Sequence, residues 1–327
     1  MRSPVRASIL PNRNSRLIML QPRSWGRAIM KRGWLAIVGM TVVYFWLAPP
    51  AQAESDLVKC RAAPSDERIA RCTAVIEAGA APKPFLAEAY RNRARAFYEI
   101  HDFDHAISDY SEVIQRSPND RYAYFGRGMS YYAKKDFESA IADYTQAIQL
   151  NPRDIRAYLD HAIAFTAKRD ADHAIADYDE AIQRSPQFKE AYLGRGSAYR
   201  LKGDLDRAIA DYDQAIQLDP KYKEAYLARG NVYGTRSDFD AAIGAFNAAL
   251  QLDSNDKNAY FGRGCAYKAK GDLDGAILDY DTAVQLDPKY KEAYLERGIA
   301  YSAKGELDQA ISDYDRAIQL DPNFKLA

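Results

Sequence analysis

Proline returns every 34 residues along most of this chain. Pro118, Pro152, Pro186, Pro220, Pro288 and Pro322 stand on one grid, with Ser254 in the empty place and Pro84 extending it backward. Three more ladders run in phase with it. One is Tyr90, Tyr124, Tyr158, Tyr192, Tyr226, Tyr260 and Tyr294; one is Ala89 through Ala293; one is Ile107 through Ile311. The units are 87–120, 121–154, 155–188, 189–222, 223–256, 257–290 and 291–324. A chain written this way must repeat one local structure, and each copy must bury its apolar surface on its neighbours.

Each unit holds two apolar stripes at helical spacing. In 189–222 the first contains Ala191, Tyr192, Ala198 and Tyr199; the second contains Leu205, Ala208, Ile209, Tyr212, Ala215 and Ile216. Gly203-Asp204 ends one helix and caps the next. Asp219-Pro220 stops the second, because Pro disfavours αR at the residue before it. Each unit is therefore predicted to be a short αα-hairpin. Small residues mark the expected helix contacts: Gly128, Gly196, Gly230, Gly264 and Gly298 share one place, with Ala94 and Ala162 filling it elsewhere. Gly inside a helix costs about 1 kcal/mol relative to Ala, so its return implies close packing. The large Tyr and Ile are expected to fill the space between hairpins.

Tyr192, Gly196, Tyr199, Ala208, Tyr212, Ala215 and Pro220 together resemble the tetratricopeptide repeat pattern. The resemblance covers 87–324. It departs in three ways: Tyr replaces the family's Trp, Arg or His replaces the Leu before Gly, and Ala171 stands where neighbouring units carry Phe or Leu. Looser packing is expected around Ala171. The resemblance implies an all-α fold, a right-handed α-solenoid superhelix of stacked hairpins, with first helices lining a concave groove that binds peptide or protein.

Residues 54–86 continue the grid as a degenerate capping hairpin. Cys60 falls on the Gly place, Cys72 on the Ala place and Pro84 on the Pro place. Both cysteines thus sit where helices approach closest, and an exported chain would permit a disulfide between them. The bland alternative is two small buried thiols. Cys265 is left unpaired on the groove side. At the other end, the last unit keeps interior-type Ile311, Ala317 and Ile318, followed by a short tail at 325–327. That face is expected to meet a partner or a second copy of the chain.

Export is read from the N-terminus. Lys31-Arg32, the apolar stretch Trp34–Leu47 and Ala51-Gln52-Ala53 form a secretory signal pattern with cleavage after Ala53. An apolar span of 14 residues is shorter than the ~20 a membrane helix needs. The alternative is an uncleaved signal anchor that tethers the chain to a membrane. Residues 1–53 are then an extension plus signal, with Met30 a candidate true start. Localisation is expected to be periplasmic or secreted. The chain is formally neutral, but residues 1–53 carry 8 basic side chains and no acid, leaving 37 basic against 45 acidic over 54–327. That balance gives no basic footprint for nucleic acid.

Two polar ladders could carry chemistry. Arg93, Arg127, Arg195, Arg229, Arg263 and Arg297 recur, with His161 in the third unit; Asp109, Asp143, Asp177, Asp211, Asp279 and Asp313 recur, with Ala245 in the fifth. Because acid recurs with base, a structural Arg–Asp pair is favoured over a line of anion-binding arginines. Sequence leaves open whether the Asp belongs to the same unit or its neighbour. His101 and His105 have metal-compatible spacing, but their grid places vary freely, so no metal is expected. No catalytic or phosphate-binding motif is found, and the Gly-Arg-Gly at 126–128, 194–196 and 262–264 is helical and periodic. The expectation is no enzyme activity and no cofactor.

The groove is expected to present Phe125, Met129 and Tyr132 in the second unit, and Arg156, Leu159 and Ile163 in the third. Leu193, Ser197 and Arg200 follow, then Leu227 and Asn231, Phe261 and Lys268, and Leu295 and Ile299. Such a wall suits a helix or an extended peptide. The alternative for the Leu/Phe step is packing between first helices. The functional expectation is an exported scaffold or adaptor for protein or peptide partners. The alternative is an envelope polysaccharide- or glycan-binding module.

Overall fold

The computed structural model describes residues 49–79 and 82–322. Among these residues there are sixteen α-helices and no strand. The capping hairpin is α1 (Pro49–Ala62) and α2 (Ser65–Glu77). The seven units supply α3 (Lys83–Glu99) with α4 (Phe103–Arg116), α5 (Arg121–Ala133) with α6 (Phe137–Leu150), and α7 (Ile155–Ala167) with α8 (Ala171–Arg184). Then come α9 (Lys189–Lys202) with α10 (Leu205–Leu218), and α11 (Lys223–Thr235) with α12 (Phe239–Leu252). The last two are α13 (Lys257–Lys270) with α14 (Leu273–Leu286), and α15 (Lys291–Lys304) with α16 (Leu307–Leu320). The chain is an all-α solenoid of stacked hairpins. Residues 1–48, which hold the basic and apolar parts of the signal and anchor readings, and the tail at 325–327 lie outside the described residues, while the Ala51-Gln52-Ala53 motif falls in α1. No helix among the described residues is long and apolar enough to cross a membrane.

The helix boundaries follow from local chemistry. In six units an Asp caps the second helix: Asp102, Asp136, Asp170, Asp204, Asp238 and Asp272 each accept a backbone N–H from three residues on. The first helix ends two or three places before each Asp, and the residue immediately before the Asp adopts positive φ. Gly203, Gly271 and Gly305 take this left-handed place at φ 84–86°, while His101, Lys135, Arg169 and Ser237 occupy it at 62–67°. A side chain there strains the backbone by about 1–2 kcal/mol.

Packing decides the curvature. Each first helix packs on its own second helix and on the second helix of the unit before. Successive first helices from α3 to α15 also touch one another, whereas no two second helices do. First helices therefore form the inner wall and second helices the outer one. The alanine ladders at both helix contacts are fully buried, for example Ala191 and Ala208 at 0% exposure. The rings that fill the hairpins are those of the second helices: Tyr110, Tyr144, Tyr178, Tyr212, Phe246 and Tyr280 are all buried. Burying a large apolar side chain contributes roughly 1.5–3 kcal/mol. The first-helix tyrosines, expected in that role, are only half-buried. They lie over the arginine ladder instead, as Tyr192 does against Arg195 at 5.5 Å. Packing around Ala171 is not loosened at the core, because Tyr178 keeps 3% exposure.

The cap carries the disulfide. Cys60 and Cys72 are bonded and fully buried, in a cluster with Leu57, Val75 and Ala89 of α3. At the other end Leu307, Ile311 and Ile318 of α16 stay 60%, 57% and 47% exposed. In every earlier unit the next first helix packs on the corresponding second helix.

Candidate functional site

The inner wall is held in register by a clamp that repeats every 34 residues. Arg127 donates from Nε and Nη2 to the two carboxylate oxygens of Asp143, both at 2.8 Å. Its Nη1 reaches back to Ser111 Oγ of the preceding unit at 2.9 Å. So the Asp sixteen residues ahead belongs to the same unit, and the residue sixteen behind belongs to the one before. Arg195 repeats this with Asp211 and Asp179, Arg263 with Asp279 and Asn247, and Arg297 with Asp313 and Asp281. Arg93 pairs with Asp109 and reaches Thr73 of the cap. A planar guanidinium suits this forked geometry, and the pair consumes the charge internally. The arginines are therefore struts, not a line of anion receptors.

Two units break the pattern. His161 takes the arginine's place with the equivalent neighbours: Nε2 is 3.1 Å from Thr145 Oγ1 and Nδ1 is 2.8 Å from Asp177 Oδ2. The second contact is too oblique for a hydrogen bond, and neither atom has a hydrogen-bond partner among the described residues. In the fifth unit Ala245 replaces the acid. Among the described residues Arg229 keeps Asp213 alone as an ion partner, and its Nε is buried without a hydrogen-bond partner.

The glycines explain the shape of the wall. Each second-helix ring leans on a first helix at one of two places, sixteen residues before it or sixteen after. A Cβ on Gly128 would stand 2.9 Å from the Tyr144 ring of its own unit. A Cβ on Gly126 would stand 2.3 Å from the Tyr110 ring of the unit before. Where a ring's own-unit place is Ala, as at Ala94 and Ala162, the glycine lies in the next unit, at Gly126 and Gly194. Where the own-unit place is glycine, as at Gly128, Gly196 and Gly264, the next-unit place carries Asp160, Ala228 and Glu296.

Phe246 has glycine on both sides, Gly230 and Gly262, with Cβ approaches of 2.9 and 2.5 Å. It also lacks the hydroxyl of its tyrosine counterparts. With Gly234 and Asn231 beside it, the inner wall opens into a cavity of about 750 Å³ between α11 and α13. Leu227, Phe239, Phe246, Phe261 and Tyr290 give it apolar walls; Asn231, Thr235 and Asn258 supply the polar rim. Cys265 lies in it with its thiol 3.4 Å from Tyr280 Oη, and burial pushes that thiol up. Such a shape can take an apolar side chain while amides meet the attached backbone.

The sequence-predicted groove residues divide on exposure. Arg156, Arg200 and Asn231 are exposed, and Ile163 and Ile299 are 40% and 37% exposed. Phe125, Met129, Tyr132, Leu193, Ser197, Leu227, Phe261, Lys268 and Leu295 are partly buried on the same face. Leu159 is a correction: at 7% exposure it belongs to the core cluster that includes Ala162 of α7 and Tyr178 of α8. Ser197 spends its hydroxyl on the Leu193 carbonyl at 2.9 Å. Lys268 is paired with Glu296 of the next first helix. Only Leu227, Asn231 and Phe261 of these reach the cavity, joined by Cys265.

Sequence reading missed three features. One is the acceptor ladder behind the arginines and His161 (Ser111, Thr145, Asp179, Asp213, Asn247, Asp281), which is plain on the grid once sought. Another is the double glycine around Phe246. The third is Asp160. Its carboxylate faces the inner wall half-buried, without an ion pair or hydrogen bond among the described residues, and burial lifts it to about 6.

Sequence models described as tetratricopeptide repeat match 122–154, 223–256 and 292–324, and a TPR repeat model matches 196–236 and 264–305. The chain is a tetratricopeptide repeat protein. Solved structures share its fold, tetratricopeptide repeat proteins among them. One from Parabacteroides merdae aligns with a TM-score of 0.62 at 20% identity, over 73% of this chain and 94% of that one. The C-terminal part of a TPR repeat-containing protein from Cytophaga hutchinsonii aligns at 0.56 and 20% identity, over 71% and 95%. A chain of the APC/C hetero-tetramer Cut9–Hcn1 aligns at 0.57 and 20% identity, over 83% of this chain and 52% of that one. No curated protein matches the sequence. At these identities the likeness speaks for the tetratricopeptide fold alone.

Proposed function

We propose that this protein is an exported scaffold whose inner wall holds a segment of a partner protein, with one apolar side chain of that segment seated in the cavity between α11 and α13. The cavity carries the reading. It is the place where the repeat's ring-against-glycine packing leaves space, and both its walls and its amide rim suit a peptide. The arginine ladder is satisfied internally, so binding relies on shape and apolar contact more than on anion capture. Export rests on the signal pattern that ends at Ala53, and a buried disulfide in the cap accords with an oxidising compartment. The exposed apolar face of α16 is a second contact surface, for a partner or another copy. The reading assigns no reaction to the protein.

Gly234 provides a test that separates binding from folding. A Cβ there meets nothing within 4 Å, and the residue lines the cavity. Gly234→Leu should fill the space while gaining roughly 0.5–1 kcal/mol of helix propensity. Peptides selected from a random library on the wild-type protein should then bind the variant at least tenfold more weakly. Unchanged binding would remove the cavity from the account. Recognition of glycans but of no peptide would replace the scaffold reading with a polymer-binding one.

A further inference from the structure

One place on the inner wall is occupied in two chemically different ways, and the contrast identifies a ligand. Asp160 of α7 and Glu296 of α15 stand on the same grid place, four units apart. Glu296 is neutralised: Lys268, from the preceding first helix, donates its ammonium to the Glu296 carboxylate. The grid position of Lys268 in front of Asp160 is held by Tyr132. A phenol can offer a hydrogen bond there but not a positive charge.

The other surroundings of Asp160 supply no ion pair among the described residues. Its field reaches Tyr98 of α3, Tyr144 of α6 and Tyr178 of α8. On its own helix Arg156 lies one turn back and exposed, and Asp154 adds a repulsive charge. Asp160 shares a helix face with Arg156 and with the exposed Ile163, so this side of α7 is open to the groove. A half-buried carboxylate with Arg156 as its nearby positive charge but no ion pair formed is costly, unless a cation completes it. Aromatic faces around such a cation add further attraction.

We propose that Asp160 and the tyrosines around it form a receptor for a cationic side chain, an arginine or lysine of the partner segment, which supplies what Lys268 supplies internally to Glu296. This rests on the groove reading and adds a second, charged contact upstream of the apolar cavity. The bound segment therefore carries a basic residue at one point and an apolar one at another.

Two measurements on the full folded protein test it together. In the first, N-acetyl-argininamide and N-acetyl-lysinamide are titrated while the Asp160 carboxyl carbon is followed by NMR, with N-acetyl-leucinamide as control. The cationic probes should move that resonance and lower the pH at which it titrates; leucinamide should do neither. In the second, a random peptide library is selected on wild type, Asp160→Asn and Gly234→Leu. Wild type and Gly234→Leu should enrich Arg or Lys, and Asp160→Asn should lose that enrichment and bind the wild-type peptides at least tenfold more weakly. Peptides that bind wild type without basic enrichment overturn this inference and leave the groove reading standing. Cationic probes that move Asp160 when no peptide binds uphold the cation receptor and overturn the peptide groove. An Asp160 resonance indifferent to every probe, with the same peptides selected by Asp160→Asn, sinks the proposal outright.

Discussion

Replacing Asp160 by Asn should stabilise the free protein, and only above about pH 4. Burial raises this carboxyl from 3.8 to about 6, against a modest opposing pull from Arg156. The folded state thus disfavours the ionised form, while the unfolded chain ionises near the ordinary value. A group with a raised folded value costs nothing below its unfolded value. Its cost grows as pH climbs from there and is complete once pH passes the folded value. A shift of roughly two units corresponds to about 3 kcal/mol at most, at 1.36 kcal/mol per unit, and relaxation around the site would reduce it to about 1–3 kcal/mol. The amide keeps the shape and removes the charge. Urea unfolding followed by circular dichroism at pH 4 and pH 7.5 reads the difference directly. The expected pattern is a higher midpoint for Asp160→Asn at pH 7.5 and near-coincident curves at pH 4. A variant that is less stable at pH 7.5, or equally stabilised at both, would show that the carboxylate has a favourable partner and that the electrostatic argument is wrong.

Other expectations follow from the repeat's exceptions. Ala245→Asp restores the acid that Arg229 lacks, and should raise stability by about 1–2 kcal/mol; in an Arg229→Met background the same change should destabilise, because the new buried carboxylate has no guanidinium. Lys135→Gly, at a left-handed place that other units give to glycine, should raise the unfolding midpoint by the equivalent of about 1 kcal/mol. Cys60→Ser with Cys72→Ser should cost about 3 kcal/mol on the chain-entropy estimate and leave the cap more open to proteolysis. Alkylation of the unreduced, denatured protein should modify Cys265 alone; three modified cysteines would contradict the staple.

The hairpins were legible because their signals are local and periodic. Asp204 caps, Gly203 turns the chain and Pro220 blocks continuation whatever lies around them. Registered against the grid, Cys60 and Cys72 fall at a helix contact from the sequence alone. What distance in sequence hid was decided between units. The ladder reading paired arginines with aspartates but could not choose whether Arg127 takes the Asp of its own unit, Asp143, or that of a neighbour, because that depends on how one hairpin leans on the next. The same lean decides whether a ring uses the glycine behind it or the one ahead, so the cavity at Phe246 follows from three residues that look ordinary one at a time. Leu159 was misread because periodicity gives its face but not its depth. Asp160 passed unnoticed because its significance lies in what Tyr132 is not.

The claim that the inner wall is the binding surface is most directly tested by photo-crosslinking in cells that produce the protein. A photoreactive side chain at Asn231, exposed on α11 beside the cavity, should capture a discrete partner; the same group at Leu278, 67% exposed on the outer helix α14, should not. Capture from Leu278 with none from Asn231 would place recognition on the convex side and contradict the account.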